Sequence, residues 1–196
     1  MFTGIIAAVG TVREVMPAAG GVRLVIDAAG LDLVDVERGD SIAVDGVCLT
    51  AVALQSHGFE ADVSQETLNC TSGFAAGARV NLEKSLRLAD RLGGHLVSGH
   101  VDAVGTVARC EASGDNRVLA IAAPRELARY IARKGSIAVN GVSLTVNTVA
   151  GSAFEANLIP HTLQATNLSG LTIGAKVNLE VDLLARYAER LLATSS

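Results

Sequence analysis

Aromatic side chains are almost missing from these 196 residues. There are six, Phe2, Phe59, Phe74, Phe154, Tyr130 and Tyr187, and no tryptophan. A core must therefore come from Val, Ile, Leu and Ala, and the aromatic platform on which single-stranded nucleic acids stack is lacking. No block of positive charge compensates. Residues 1–96 carry 7 basic and 12 acidic side chains and the remainder 9 and 8, for a total near −4, so neither half is a basic patch and a nucleic-acid partner is excluded. Apolar runs of about 18 residues are also lacking, which excludes a spanning helix despite a mean hydropathy of +0.39. The first 16 residues have no leading basic cluster, and Arg13 and Glu14 interrupt them, so they do not read as a signal peptide. Three cysteines, Cys48, Cys70 and Cys110, form neither an even set nor a CxxC, which argues against a disulfide frame or zinc ribbon and for a reducing, cytoplasmic setting. P-loop, Rossmann, HExxH and GxSxG patterns are all missing.

What the chain does have is itself, twice. Val9-Gly-Thr-Val12 returns as Val104-Gly-Thr-Val107. Ser41-Ile-Ala-Val-Asp-Gly-Val-Cys-Leu-Thr50 returns 95 residues later as Ser136-Ile-Ala-Val-Asn-Gly-Val-Ser-Leu-Thr145, eight of ten identical. Near the end of each half the offset becomes 97: Gly77-Ala-Arg-Val-Asn-Leu-Glu83 returns as Gly174-Ala-Lys-Val-Asn-Leu-Glu180. The period is too long for a solenoid and predicts two homologous domains, 1–94 and 95–182, with a final segment at 183–196. The joint Gly93-Gly94-His95 reads as flexible, with few contacts crossing it.

Each half is patterned for β structure. Short Val/Ile/Thr-rich runs end at Gly, Asp or Asn, and Asp45-Gly46 and Asn140-Gly141 are hairpin turns. Six or so strands in about 90 residues predict a small closed barrel, because closure removes exposed edges. Gly4 to Gly10 and Gly99 to Gly105 share a spacing but sit in strand patterns. Helices are predicted over Pro124–Lys134 and Asp182–Ala193, the second with an Asp cap and a stripe of Leu183, Leu184, Tyr187, Leu191 and Leu192. That stripe either covers its own barrel or joins copies of the chain.

Candidate chemistry lies at equivalent places in the two halves. Cys48-Leu49-Thr50 matches Ser143-Leu144-Thr145, and Ser41 matches Ser136. Asp62 to Thr67 matches Asn157 to Thr162, and Gly4-Ile5-Ile6 matches Gly99-His100-Val101. A hydroxyl or thiol within an apolar strand needs a partner, which a planar polar ligand at a barrel mouth supplies. Replacements such as Cys48 against Ser143 and Glu66 against His161 make two related, non-identical sites. His100 is either a general base, by its near-neutral pKa, or a satisfied barrel histidine.

The opening Met1-Phe-Thr-Gly-Ile-Ile6, the two Gly-Val-[Cys/Ser]-Leu-Thr segments, Gly94-His-Leu-Val-Ser-Gly-His-Val101 and Ile159-Pro-His-Thr-Leu163 together resemble the riboflavin synthase family, α-chain type, over nearly the whole chain. The resemblance implies an all-β fold of tandem six-stranded Greek-key barrels, with a C-terminal helix that assembles a homotrimer. It implies that two molecules of 6,7-dimethyl-8-(1-D-ribityl)lumazine dismutate to riboflavin and 5-amino-6-(D-ribitylamino)uracil, without metal or redox cofactor. The site would lie between the N-barrel of one subunit and the C-barrel of another. It further implies an N-barrel ligand set of Gly4, Ile5, Ile6, Cys48, Leu49, Thr50, Asp62, Val63, Ser64, Gln65, Glu66 and Thr67. The C-barrel set is Gly99, His100, Val101, Ser143, Leu144, Thr145, Leu158, Ile159, Pro160, His161, Thr162 and Leu163, with Lys134 reaching in from a partner. Residues implicated in catalysis fall on Ser41, Cys48, His100, Thr145 and Asp182. Relatives of the same fold include lumazine- and flavin-binding proteins without synthase activity, which would depart at those positions. A flavin-reductase-like barrel would need a nicotinamide domain that the chain is too short to hold.

Overall fold

The computed structural model describes residues 1–28 and 30–193. Strands β1 (Ala8–Ala18), β2 (Gly21–Asp27), β3 (Ser41–Val44), β4 (Val47–Gln55), β5 (Gly58–Ser64) and β6 (Arg79–Lys84) close a barrel in the order β1-β2-β5-β4-β3-β6. Every pair is antiparallel, and the jump that lets β2 meet β5 and β3 meet β6 is the Greek-key crossing. A short helix α1 (Gln65–Cys70) follows β5.

The second half repeats this with β7 (Ala103–Ser113), β8 (Asn116–Ala122), β9 (Ser136–Val139), β10 (Val142–Thr145), β11 (Thr148–Ala150), β12 (Ala153–Leu158), helix α2 (Pro160–Ala165) and β13 (Lys176–Val181). Its sheet runs β10-β9-β13-β7-β8-β12-β11. The two end members, β10 and β11, are pieces of one strand interrupted at Val146 and Asn147. The matching β4 is continuous but shifts register between Ala51 and Ala53, the same place in the repeat. Here one half has a bulge and the other a break.

Both predicted hairpin turns form with positive φ at each central residue, 48° and 79° at Asp45-Gly46 and 45° and 77° at Asn140-Gly141. The interiors are aliphatic around a single fully buried phenylalanine each, Phe59 with Leu24, Ile26, Ile42 and Leu82, and Phe154 with Leu119, Ile121, Ile137 and Leu179. Truncating either ring should cost about 3–5 kcal/mol.

Helix α3 (Leu183–Ala193) forms as expected, with Asp182 Oδ1 accepting from the Leu184 amide at 3.0 Å. The last three residues of the expected segment 183–196 lie outside the described residues. Its polar face is pinned to its own half: Glu189 accepts from Tyr130 Oη and from Arg129 at 2.7 Å, and Arg186 pairs with Asp102. Leu184, Tyr187, Leu191 and Leu192 remain 62–74% exposed.

Three details differ from expectation. The segment predicted as a helix over Pro124–Lys134 is a 3-10 turn over Arg125–Tyr130, ended by extended backbone at Ile131 and a left-handed Lys134. Gly10 and Gly105 lie in strands, but Gly4 and Gly99 do not; they occupy left-handed loops at φ 76° and 81°. The joint at Gly93-Gly94-His95 is not loose. His95 is buried and its amide donates to Thr3 O at 3.1 Å, because the chain's first residues fold back over the joint.

Candidate functional site

The site begins with a vacancy in hydrogen bonding. Strand β4 pairs with β5 only from Ala51 onward, so residues 47–50 have one unpaired edge. The Cys48 amide on that edge donates to Gly99 O at 2.8 Å, from the other half of the chain. At the duplicate position the Ser143 amide donates to Gly4 O, also at 2.8 Å. Each half thus lends a glycine loop to close the open edge of the other, which satisfies donors that could not be left buried and unpaired.

The loops are held from behind by carboxylates. Glu83 accepts from the Thr3 amide at 2.7 Å, Thr3 Oγ1 at 2.6 Å and the Gly4 amide at 3.0 Å. Glu180 does the same for the Ser98 amide at 2.6 Å, Ser98 Oγ at 2.7 Å and the Gly99 amide at 2.9 Å. Burial pushes the Glu83 carboxyl above the usual range, and its bonds to residues 3–5 pull the other way. Phe2 and Val97 exchange backbone bonds at 2.7 and 3.1 Å and pack with Ala43 and Ala138 in a small apolar cluster on the seam.

This crossing corrects the expected grouping. Gly4, Ile5 and Ile6 do not accompany Cys48; they serve the Ser143 side. Gly99, His100 and Val101 serve the Cys48 side. A cavity of about 210 Å³ is lined by Val47, Cys48, Glu66, Thr67, Cys70, Thr71, Gly99, His100 and Val101. Cys48 and His100, far apart in sequence, share it. It lies outside the barrel wall, since β-alternation turns Leu49 inward (4% exposed) and Cys48 and Thr50 outward. The same alternation buries Leu144 and turns Ser143 and Thr145 out.

The other expected residues are dispersed. Ser41 faces Thr50 across β3–β4 and lines a separate cavity of about 220 Å³ with Asp40, Glu83, Lys84 and Ser85. Thr145 faces Ser136 and is exposed. Asp62 is bound bidentately by Arg23, which holds its carboxyl below the usual range. Val63 is buried in the barrel, Ser64 caps α1 by accepting from the Thr67 amide, and Gln65 reaches Asn69. Leu158 is buried, Ile159 caps α2, and Pro160, His161, Thr162 and Leu163 form its first turn. Lys134 stands exposed at φ 68°, where the first half has Gly39, a backbone cost of about 1–2 kcal/mol that marks the position as special.

Sequence reasoning missed the groups that hold the site together. His95 Nδ1 lies 2.7 Å from Ser143 Oγ, and its buried Nε2 has no partner among the described residues. Burial lowers its pKa, opposed by Asp182, so the ring is neutral near pH 7. His95 and Ser143 share this hydrogen bond across the seam between the halves. Glu83 and Glu180 were legible as polar residues repeated within the apolar strands Val80-Asn-Leu-Glu83 and Val177-Asn-Leu-Glu180. Among the described residues no cluster of His, Cys, Asp and Glu is arranged to hold a metal, and no helix is long and apolar enough to cross a membrane.

Comparison with known proteins agrees with this duplicated plan. The lumazine binding domain matches twice, over residues 3–85 and 98–182. Riboflavin synthase of Photobacterium phosphoreum is 46% identical over 194 residues, covering 98% of this chain and 89% of that protein. That of Mycobacterium bovis is 45% identical over 208 residues, covering 100% of both. Among solved structures, LumP complexed with riboflavin aligns with a TM-score of 0.85 at 27% identity, covering 92% of this chain and 99% of that one. LumP complexed with 6,7-dimethyl-8-(1'-D-ribityl) lumazine aligns at 0.82 and 26%, with the same coverage. With both halves matched and synthases aligned nearly end to end, this chain belongs to the riboflavin synthase family and is built from two lumazine-binding domains.

Proposed function

We propose that the protein is a riboflavin synthase that binds two molecules of 6,7-dimethyl-8-(1-D-ribityl)lumazine and moves a four-carbon unit from one to the other, releasing riboflavin and 5-amino-6-(D-ribitylamino)uracil. The observation that carries this reading is the meeting of Cys48 and His100 in one cavity, an arrangement that exists only because a loop of the second half crosses to the first. In this scheme His100 accepts a proton from the acidic 7-methyl of one lumazine and later returns it. The Cys48 thiol stabilises or adds to the donor ring, a role that Ser41 shares only if a ligand also reaches its separate cavity, Thr145 contacts the ligand beside Ser143, and Asp182 orients a partner group.

Among the described residues lining the Cys48 cavity none belongs to Gly4–Ile6 or to Ser143–Thr145, which supports joining two ligands across a subunit boundary rather than within one chain. The exposed Leu184, Tyr187, Leu191 and Leu192 of α3 suit a homotrimer contact, and Lys134 suits a ligand contact from the partner side. With so few aromatics, each lumazine stacks chiefly on the other, and alignment of the pair supplies about 7–11 kcal/mol of the acceleration. Free cysteines fit a cytoplasmic enzyme.

The likeness to LumP complexes favours one alternative, a flavin- or lumazine-binding protein without turnover. Purified protein mixed with the lumazine alone distinguishes the two. Riboflavin absorbance rising to half the lumazine consumed supports the synthase; a fluorescence shift with no riboflavin overturns it in favour of the binder.

A further inference from the structure

The two crossed glycine loops are anchored alike in front and differently behind. Glu83 holds Thr3 and Gly4, and Glu180 holds Ser98 and Gly99. Beyond the glycine each loop runs over the other half: Val101 packs against the core of the first half and Ile6 against that of the second. The residue that follows brings the chain back to its own half. The Ala7 amide donates to Leu82 O at 2.9 Å, and the Asp102 amide to Leu179 O at 2.8 Å. The backbone is the same, but the first half has a methyl where the second has a carboxylate.

Both oxygens of that carboxylate are engaged, and its side chain is only 4% exposed. Oδ2 accepts from the Val181 amide at 2.7 Å, and Oδ1 pairs with Arg186 in the first turn of α3. A carboxylate so withdrawn from water needs such a cation. No side chain of α3 is buried, and the first half has nothing like it, since no helix stands between β6 and β7. The Gly99 loop is thus tied by side chains at both ends and the Gly4 loop only in front. The doubly tied loop is the one that carries the ionisable His100 into the Cys48 cavity, where the Gly4 loop has Ile5 at the matching place. A group that transfers a proton must be held to within about 0.5 Å, whereas an apolar contact is non-directional.

We propose that Asp102 is a positioning residue for His100: through Arg186 it latches the rear of the Gly99–Val101 loop to α3, so the helix with the exposed apolar stripe also steadies the backbone from which His100 projects. Its part in turnover rests on the synthase reading above; the latch itself does not. When copies join through Leu184, Tyr187, Leu191 and Leu192, the helix they fix is the one that holds this loop. Assembly is thereby coupled to the Cys48 site and not to the Ser143 site.

The test uses the full chain with Arg186→Ala, Arg186→Lys and Asp102→Ala. Arg186 is half exposed, and Ala7 shows that the repeat accepts alanine at position 102. Amide hydrogen exchange reads the loops separately, because the Cys48 amide bonds Gly99 O and the Ser143 amide bonds Gly4 O. Arg186→Ala and Asp102→Ala should speed exchange at Cys48 by at least about tenfold and leave Ser143 as in wild type. With the lumazine, kcat should fall at least about tenfold with KM within about twofold, and Arg186→Lys should recover most of the loss. Equal acceleration at both amides marks general loosening and overturns the proposal, as does unchanged exchange at Cys48. So does a raised KM at unchanged kcat. Light scattering follows assembly: dissociation of Arg186→Ala with Cys48 exchange unchanged means that the helix moves without the loop, which also overturns it. Should Asp102→Ala not fold, Arg186→Ala decides alone. A wild type that makes no riboflavin removes the proposed function, and the exchange comparison still decides the latch.

Discussion

Substituting Gly99 by Ala tests whether each half completes the other. A Cβ there would lie 2.6 Å from Cys48 Cβ, 2.9 Å from the Cys48 nitrogen and 2.9 Å from Phe2 Cε2, at a backbone φ of +81°. The left-handed conformation costs an alanine about 1–2 kcal/mol, and forcing a methyl into a filled contact adds about 1–3 kcal/mol. Two of the obstructing atoms are the Cys48 nitrogen and Cβ, which cannot swing aside, and the third belongs to the fully buried Phe2 ring, so the loop lifts and the bond from the Cys48 amide to Gly99 O is lost. Gly20→Ala is the control. Its φ is +82°, with nothing within 4 Å of a new Cβ, so it isolates the conformational part. Gly99→Ala should lower stability by about 2–5 kcal/mol by denaturant unfolding, against about 1–2 kcal/mol for Gly20→Ala. It should also weaken riboflavin binding, followed by flavin fluorescence, where Gly20→Ala does not. Equal stability losses with intact binding would refute the idea that this loop closes the Cys48 site.

Other outcomes follow from the same contacts. Gly4→Ala should act in the same way on the Ser143 side, since its Cβ would lie 2.6 Å from Ser143 Cβ, and the Gly4→Ala/Gly99→Ala pair should be additive in unfolding experiments if the two loops act separately. His95→Leu leaves Ser143 without its buried partner and should cost about 1–3 kcal/mol, whereas His95→Asn keeps a polar partner near Nδ1 and should recover part of it in the same unfolding assay. Because burial lowers the folded pKa of His95, its contribution is complete above the unfolded value of 6.5 and is lost as pH falls toward the folded one; His95→Asn should flatten that acid limb. Leu184→Asp with Leu191→Asp should leave a folded monomer by light scattering and abolish turnover, since the exposed stripe of α3 is the proposed subunit contact.

Much of the fold was legible because the duplication exposes it. A turn such as Asp45-Gly46 is weak on its own, but its return as Asn140-Gly141 between the same apolar runs is hard to read otherwise. Short helices were less legible. Six residues, as in α1, are too few for a 3.6-residue period, and only Ser64 as cap and Pro160 at the start of α2 signalled them. The crossing of the loops could not be read at all. Offset matching assigns Gly4 to the half that contains it, and nothing local to Met1–Ile6 says that its hydrogen-bonding partner is Ser143. The same limit hid His95, which has no counterpart in the repeat and gains its role from a residue 48 positions away. Asn81, Asn178, Glu83 and Glu180 were visible as buried-strand polar residues, yet their partners are set by how the halves dock.

The most direct measurement is a crystal structure with 6,7-dimethyl-8-(1-D-ribityl)lumazine or a non-reacting analogue. The account predicts one heterocycle against Cys48, Thr67 and the Gly99–Val101 loop, and a second against Ser143 and the Gly4–Ile6 loop, paired face to face across a subunit boundary. A ligand lodged inside a barrel beside Phe59 or Phe154, or held by Gly4–Ile6 together with Cys48, would contradict it.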